Sequence, residues 1–283
     1  MRLVIHHSLN VHYRRFIREH QCELRIAPRD DASQRLVSLS ITVEPPAEIR
    51  QRLDWLGNPT HSFTLLAPHD RLTVSMDAVV ETLTDNPFAY TPLEPEQEGA
   101  WVEETLRKQP RLLDYLLHRS SFTPDALADA PEQADGQALL ARATEAMAWV
   151  NQHLSYDSAL DGRPASLDTV LTRRTGGAED YAHLLITLIR QWGFPARLVT
   201  GWLDGSLLDP DTPQWPHAWA EVLVPGAGWR GLDPLNNLLA NAHYAASAIG
   251  RDWSDCQPLR QAWSQRGPSE EGDSQLVLQV AAQ

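Results

Sequence analysis

The sequence predicts an α+β fold: an N-terminal antiparallel β-sandwich, followed by a core of helices packed on an antiparallel sheet. Three observations support this prediction. Short strand-like apolar segments fill residues 1–85, helical periodicity begins after residue 136, and strand patterns return after residue 195. We expect a β domain at 1–85, a connector with short helices at 86–136, and a core at 137–283 that ends in a further strand.

The predicted β domain contains five apolar segments separated by Pro, Asp and Gly-Asn turns. They read LVIHHSLNVHY, CELRIAP, LVSLSITVEP, HSFTLLAP and RLTVSMDAVVETL. In the last of them Leu72, Val74 and Met76 alternate with polar residues, which is typical of a half-buried strand. The acidic, proline-interrupted connector predicts short helices, such as 111–118.

Two amphipathic helices and a sheet are predicted for the core. The apolar face of the first helix is formed by Leu139, Ala143, Met147, Val150 and Leu154, and that of the second by Tyr181, Leu184, Leu185, Leu188 and Trp192. Gly193 supplies a C-terminal stop. The segments ARLVTGWL and HAWAEVLV and the piece around WRGLDP predict strands, the last two joined by PGAG, and SQLVLQV predicts a final strand.

Composition excludes several classes of function. The formal net charge is −13, so the Lys and Arg excess that phosphate backbones require is missing, and we expect no nucleic-acid partner. No apolar run approaches the ~20 residues that span a bilayer, and the start MRLVIHHSLN lacks a signal-peptide core. Cys22 and Cys256 alone cannot form a disulfide framework. We therefore expect a cytoplasmic protein without membrane association or cofactor.

Several spaced motifs occur in a recognisable order. They are SLDTVL (166–171), RTGGAEDYAH (174–183), GFPA (193–196), HAWAE (217–221), GWRGLDP (228–234) and GRDWSD (250–255), preceded by CELRIAPRD (22–30) and WLGN (55–58). Together they resemble the bacterial transglutaminase-like proteins of the papain-like cysteine-hydrolase superfamily, including their N-terminal β-sandwich region. The resemblance implies a papain-like transglutaminase core and covers nearly the whole chain.

The resemblance also implies a catalytic triad of Cys, His and Asp. Carried over by position, the histidine is His217 and the aspartate is Asp233. The nucleophile position is Ala178, which has no thiol, so family-type covalent acyl transfer cannot proceed there. Neither cysteine of the chain lies beside the predicted His and Asp strands.

The alanine has two explanations: natural loss of the cysteine, or a deliberate Cys→Ala substitution. Gly177 and Glu179 also depart from the family pattern, which has a branched residue and a non-acidic polar or basic residue there. Three adjacent differences favour natural loss, because an engineer would have changed one residue.

Three functions remain open. The favoured one is a peptide- or protein-binding pseudoenzyme, and the resemblance implies an ATP-grasp-type enzyme as partner. The second is an active thiol amidase, peptidase or transglutaminase studied as a Cys→Ala variant. The third is a non-covalent hydrolase that uses Glu179 or a bound metal with His217.

Other polar and aromatic residues near these motifs are candidate binding residues. Glu179, Asp180 and His183 lie in the first turns of the second helix. Acidic side chains there interact favourably with the helix dipole, and we expect His183 to be a core histidine rather than a metal ligand. We expect no metal site. Trp202 and Trp215 are predicted to border a binding groove beside Ala178.

Strand pairing offers a geometric test of the His–Asp assignment. Strand faces alternate, so pairing Val224 with Trp229 would turn Asp233 away from His217. We therefore predict a longer loop or bulge that pairs Leu223 with Trp229 and Trp219 with Asp233. Asp233 is then diagonal to His217 and within reach of its ring.

Overall fold

A computed structural model describes residues 1–84, 86–127, 136–205, 216–264 and 274–282. The strands are β1 (Arg2–Leu24), β2 (Gln34–Glu44), β3 (Arg50–Leu53), β4 (Pro59–Leu65), β5 (His69–Thr82), β6 (Ser155–Tyr156), β7 (Thr175–Gly176), β8 (Ala196–Leu203), β9 (His217–Val224), β10 (Gly228–Asp233), β11 (Leu238–Leu239), β12 (Tyr244–Gly250), β13 (Leu259–Ser264) and β14 (Ser274–Ala282). The α-helices are α1 (Pro95–Lys108), α2 (Asp114–Leu117), α3 (Leu139–His153), α4 (Leu167–Arg173), α5 (Ala178–Gln191) and α6 (Trp253–Cys256), and short 3-10 turns occupy Pro110–Leu113 and Ser158–Leu160.

The N-terminal domain is built around one long strand. The two segments predicted at its start form the single strand β1, whose pairing with β5 is irregular between His12 and Ile17. The first half of β1 pairs with β5 and β14, and the second half pairs with β4 and β13. Two antiparallel sheets therefore share β1 and enclose a common apolar core.

The end of the chain returns to the N-terminal domain. Both β13 and β14 pair with β1, so strands from beyond residue 258 complete sheets that begin at residue 2. This pairing satisfies backbone groups of β1 that an open edge would leave exposed. The β strand predicted at SQLVLQV is present as β14, while the short β3 was not predicted.

The second domain places a buried helix against an antiparallel sheet. The strand order in this sheet is β11-β10-β9-β8-β12, and α5 packs across β8 and β9. All residues of α5 from Ala178 to Arg190 are buried, so this helix is the centre of the domain rather than an amphipathic surface helix. The predicted α+β class with antiparallel sheets is confirmed.

The β9–β10 hairpin has the predicted register. Trp229 pairs with Leu223. The prediction of a longer loop or bulge is wrong: Gly228 also pairs with Val224 without a register shift, so only residues 225–227 connect the strands. The connecting turn has Pro225 before Gly226, which has a φ of 76°, and the Ala227 N–H donates to the Val224 carbonyl at 3.0 Å. A positive φ at the third residue of such a turn is strained for any residue but glycine.

The connector is more helical than predicted, because α1 spans 14 residues. Its buried Glu98 accepts hydrogen bonds from the Leu139 N–H, at 2.8 and 3.0 Å, and from the Arg142 guanidinium at 2.9 Å. A carboxylate of the connector therefore caps the start of α3 and forms a buried ion pair with it.

Candidate functional site

His217 and Asp233 form a buried hydrogen-bonded pair at one end of the β9–β10 hairpin. His217 is the first residue of β9 and Asp233 is the last of β10, and the observed register brings them together. The distance between His217 Nε2 and Asp233 Oδ2 is 2.7 Å. Asp233 is fully buried and His217 is 9% exposed. The predicted contact between these side chains is confirmed.

Three further residues donate hydrogen bonds to the Asp233 carboxylate. Tyr244 Oη and Asn236 Nδ2 donate to Oδ2 at 2.8 and 2.7 Å, and the backbone N–H groups of Leu235 and Asn236 donate to Oδ1 at 3.1 and 3.2 Å. Burial alone would raise the pKa of Asp233, but His217 and these donors outweigh burial and lower it. Asp233 is therefore ionised.

The ionised carboxylate determines the state of His217. Burial alone would lower the pKa of His217, but the charge and hydrogen bond of Asp233 outweigh burial and raise it, with smaller contributions from Asp161 and Glu179. With Nε2 donating to Asp233, the lone pair of the neutral imidazole lies on Nδ1. Within the described part of the chain Nδ1 makes no hydrogen bond. The geometry is that of a histidine positioned to accept a proton.

Ala178 begins α5, but its backbone N–H already has a partner. The Ala178 N–H donates to Asp161 Oδ1 at 2.9 Å, and the Gly177 N–H donates to Asp180 Oδ2 at 3.0 Å. A helix N-terminus stabilises an anion placed there, and in this chain two carboxylates take that place.

Gly177 makes room for the Asp161 carboxylate. A Cβ at residue 177 would lie 2.8 Å from Asp161 Oδ1 and 2.9 Å from the Leu160 carbonyl carbon. A branched residue at 177 would therefore displace the loop that carries Asp161. The missing side chain at 177 and the carboxylate on the 178 N–H are two parts of one arrangement.

A cluster of carboxyl groups surrounds the start of α5. Glu179 is 2% exposed; its Oε1 accepts from the Gly162 N–H at 3.1 Å, while Oε2 is buried with no partner among the described residues. Burial, together with the charge of Asp161, raises the pKa of Glu179 to about 8, so this carboxyl group is mostly protonated at neutral pH. Burial raises the pKa of Asp180 to about 6 and also raises that of Asp161, which accepts from Tyr156 Oη at 2.6 Å.

Other predicted residues lie elsewhere. Trp202, predicted to border a groove, is only 1% exposed and packs into the core shared with the N-terminal domain, with its indole edge-on to His7 at 6.3 Å between ring centroids. The correction follows from β1, which covers this face of β8. Trp215 lies outside the described residues. His183 is a core histidine, as predicted: it is 1% exposed, and its Nε2 accepts from the Trp253 N–H at 3.1 Å.

Both cysteines are buried and unreactive in character. Burial raises the pKa of Cys22 to about 12 and also raises that of Cys256. Cys22 Sγ lies 3.1 Å from His20 Nε2 within the N-terminal domain, on a different strand from the His217–Asp233 pair. The described residues contain no group of three or more His, Cys, Asp or Glu side chains arranged to hold a metal ion. No helix among them is long and apolar enough to cross a membrane.

The sequence did not single out Asp161, Tyr156, Asn236 or Tyr244 as site residues. Asp161 lies in the acidic segment SYDSALDG, whose excess of carboxylates before the helix was the available signal. Tyr244 and Asn236 reach Asp233 through a separate strand and a turn, and no local pattern marks such contacts.

The comparisons with known proteins agree with this architecture. A family model of the transglutaminase-like superfamily matches residues 125–234, and one of the bacterial transglutaminase-like N-terminal region matches residues 3–81. The chain belongs to the transglutaminase-like superfamily and carries the N-terminal region of its bacterial members.

Similar proteins cover most of the chain. The uncharacterized protein ML0607 of Mycobacterium leprae is 26% identical over 268 residues, covering 91% of this chain and 90% of that protein. The uncharacterized protein Rv2569c of Mycobacterium tuberculosis is 28% identical over 257 residues, covering 83% and 79%. The crystal structure of a "putative cysteine protease" from Cytophaga hutchinsonii superposes with a TM-score of 0.77 at 20% identity, covering 100% of this chain and 91% of that one, which shows a shared fold.

Proposed function

We propose that this chain is a transglutaminase-like pseudoenzyme: it binds a peptide or protein segment at the cleft beside α5 and performs no thiol acyl transfer. The single observation that carries the proposal is the hydrogen bond from the Ala178 N–H to the Asp161 carboxylate. Acyl transfer needs a nucleophile and free N–H donors for the developing oxyanion. Residue 178 offers only a methyl group, and its N–H is occupied.

The surrounding charges support the same proposal. A thiolate or an oxyanion at residue 178 would form beside the carboxylates of Asp161 and Asp180, which accept hydrogen bonds from the N–H groups of Ala178 and Gly177. Like charges at such distances oppose each other. The cluster at the start of α5 therefore disfavours the charges that acyl transfer develops.

Natural loss of the cysteine is the explanation we adopt for Ala178. The space at Gly177 and the position of Asp161 are coupled, so the departures at 177, 178 and 179 belong to a rearranged helix start. Genomic DNA sequence at codon 178 tests this directly. A cysteine codon would replace this proposal with that of an active thiol enzyme.

Peptide binding is tested by selection on the immobilised wild-type chain. Peptides enriched from a random heptapeptide library are labelled, and their affinity is measured by fluorescence anisotropy. Pro216 immediately precedes His217 and lines, with Asp161 and Glu179, the cavity beside the start of α5. Pro216→Trp should therefore narrow this cleft and weaken binding at least ~10-fold. Leu117→Trp, at an exposed site on α2, is the matched control and should leave the affinity unchanged.

Two results would contradict the proposal. Failure to enrich any peptide argues against a binding module, and cleavage or transamidation of enriched peptides by the wild-type chain, seen by mass spectrometry, argues against a pseudoenzyme. The cytoplasmic location and the ATP-grasp-type partner are further parts of the proposal, which rest on composition and resemblance. Co-purification of the tagged chain from the cytoplasmic fraction with an ATP-grasp-type enzyme tests both.

A further inference from the structure

A cavity of about 360 Å³ lies between the N-terminal domain and the core. Its apolar lining comes from β1, α6 and the start of β13, and is formed by Leu9, Val11, Trp253, Pro258 and Leu259. Its opposite wall includes Asp161, Gly162 and Glu179 at the start of α5. A cavity of this size accommodates a small organic molecule.

Two buried polar side chains on this cavity have unsatisfied atoms. Glu179 is 2% exposed, and its Oε2 has no hydrogen-bond partner among the described residues. His7, on β1, is 3% exposed, and neither of its ring nitrogens has a partner in the part of the chain that the structure describes. Each unmet hydrogen bond of a buried group is costly, so a ligand that satisfies both side chains gains affinity.

The other charged groups of the cavity, Asp161 and Arg163, have hydrogen-bond partners or are exposed. Both Asp161 oxygens accept hydrogen bonds, from the Ala178 N–H and from Tyr156 Oη. Arg163 is exposed to solvent. The hydrogen-bonding demand inside the cavity therefore comes from Glu179 and His7.

The protonation states of these two side chains define the head group of the ligand. Burial lowers the pKa of His7 to about 4, so its ring is neutral at pH 7 and offers one N–H donor and one acceptor. The mostly protonated Glu179 carboxyl group also offers a donor and an acceptor. An ammonium group presents only donors and a carboxylate only acceptors, whereas an amide presents both.

We propose that this interdomain cavity binds a small uncharged molecule with an apolar body and a head group, such as an amide or lactam, that both donates and accepts hydrogen bonds. The apolar wall receives the body of the ligand, and the head group lies between His7 and Glu179. Pro216 also lines this cavity, so the cavity adjoins the cleft proposed for peptide binding. The inference stands on the cavity and its unsatisfied atoms, and the small-molecule probes below test it without any peptide.

A matched series of probes tests the ligand class. The probes are 4-butylbenzamide, 4-butylbenzoate and 4-butylbenzylamine, which share one body and differ in the charge of the head group. Isothermal titration calorimetry at pH 6.5 should show that the amide binds at least ~10-fold more tightly than either ion. NMR signals of the His7 ring should shift when the amide binds. Equal affinity for all three probes, or no binding, would overturn the proposal.

Variants of Glu179 and His7 distinguish a site for a neutral head group from a site for a cation. Glu179→Gln keeps a neutral donor and acceptor and should change amide affinity less than ~3-fold, whereas Glu179→Leu and His7→Leu should each weaken it at least ~10-fold. Preferential binding of the benzylamine that disappears in Glu179→Gln would identify a cation site and overturn the proposed class.

A fourth variant, at an exposed residue, makes the test independent of these buried side chains. Ala159 is exposed and lines the cavity, so Ala159→Trp should obstruct it without disturbing the core and should weaken amide binding at least ~10-fold. Leu117→Trp is the control for an added surface indole. Unchanged affinity in Ala159→Trp would place the bound amide elsewhere and refute the assignment.

Discussion

Replacing Ala178 with Cys measures how strongly the start of α5 now opposes an anion. We expect the new thiol to react slowly with iodoacetamide at pH 7.5 and to support no amide hydrolysis. The reason is Asp161, whose carboxylate lies 2.9 Å from the N–H of residue 178. A thiol on that residue would lie within about 5 Å of the carboxylate, where Coulomb's law with an effective dielectric constant of about 20 gives about 3 kcal/mol.

That repulsion corresponds to about two pKa units. Asp161→Asn removes the charge: its amide oxygen can still accept from the Ala178 N–H, while its amide NH2 takes the other position and can donate to Tyr156 Oη. The thiolate fraction should then rise about 100-fold, while the lower basicity of the thiolate reduces its intrinsic reactivity about 10-fold. Labelling of the Ala178→Cys/Asp161→Asn variant should therefore be about 10-fold faster than labelling of Ala178→Cys.

Mass spectrometry of the labelled peptide over time gives both rates. Ala178→Cys/Asp157→Asn is the matched control: Asp157 is exposed, solvent screens its charge, and the rate should change less than about 2-fold. Rapid labelling of Ala178→Cys alone, or equal rates with and without Asp161→Asn, would refute the reasoning that carboxylates have replaced the thiolate site.

Three further predictions concern stability. Burial lowers the pKa of His7 to about 4, from a value near 6.5 in the unfolded chain. The contribution of neutral His7 to the free energy of unfolding is therefore fully present above pH 6.5 and falls by up to about 3 kcal/mol towards pH 4. Urea titrations at several pH values should show this slope, and His7→Phe should reduce it. Gly201→Ala should destabilise the fold by about 2 kcal/mol or more, because its Cβ would lie 2.0 Å from the Ala245 carbonyl oxygen; an unchanged melting temperature would contradict this. Tyr244→Phe removes a hydrogen-bond donor to the ionised Asp233 and should lower the free energy of unfolding by about 2 kcal/mol, measured by urea denaturation. An unchanged free energy of unfolding would show that this hydrogen bond does not stabilise the fold.

Local patterns in the sequence predicted much of the core. The segments 196–203 and 217–224 are β8 and β9, and the apolar spacing after Gly177 corresponds to α5. The need to place Asp233 on the same side as His217 predicted the register of the β9–β10 hairpin. These features depend on residues a few positions apart, whose periodicity is visible in the sequence.

The sequence by itself also established the α+β class and the absence of a thiol at residue 178. The tertiary structure alone decided the return of β13 and β14 to β1, the burial of Trp202 beneath that strand, and the occupation of the α5 start by Asp161. The cavity joining His7 to Glu179 was also visible only in three dimensions. The physical reason is that these contacts join residues 17 to over 250 positions apart, and their formation depends on which surfaces the folded domains bring together rather than on local spacing.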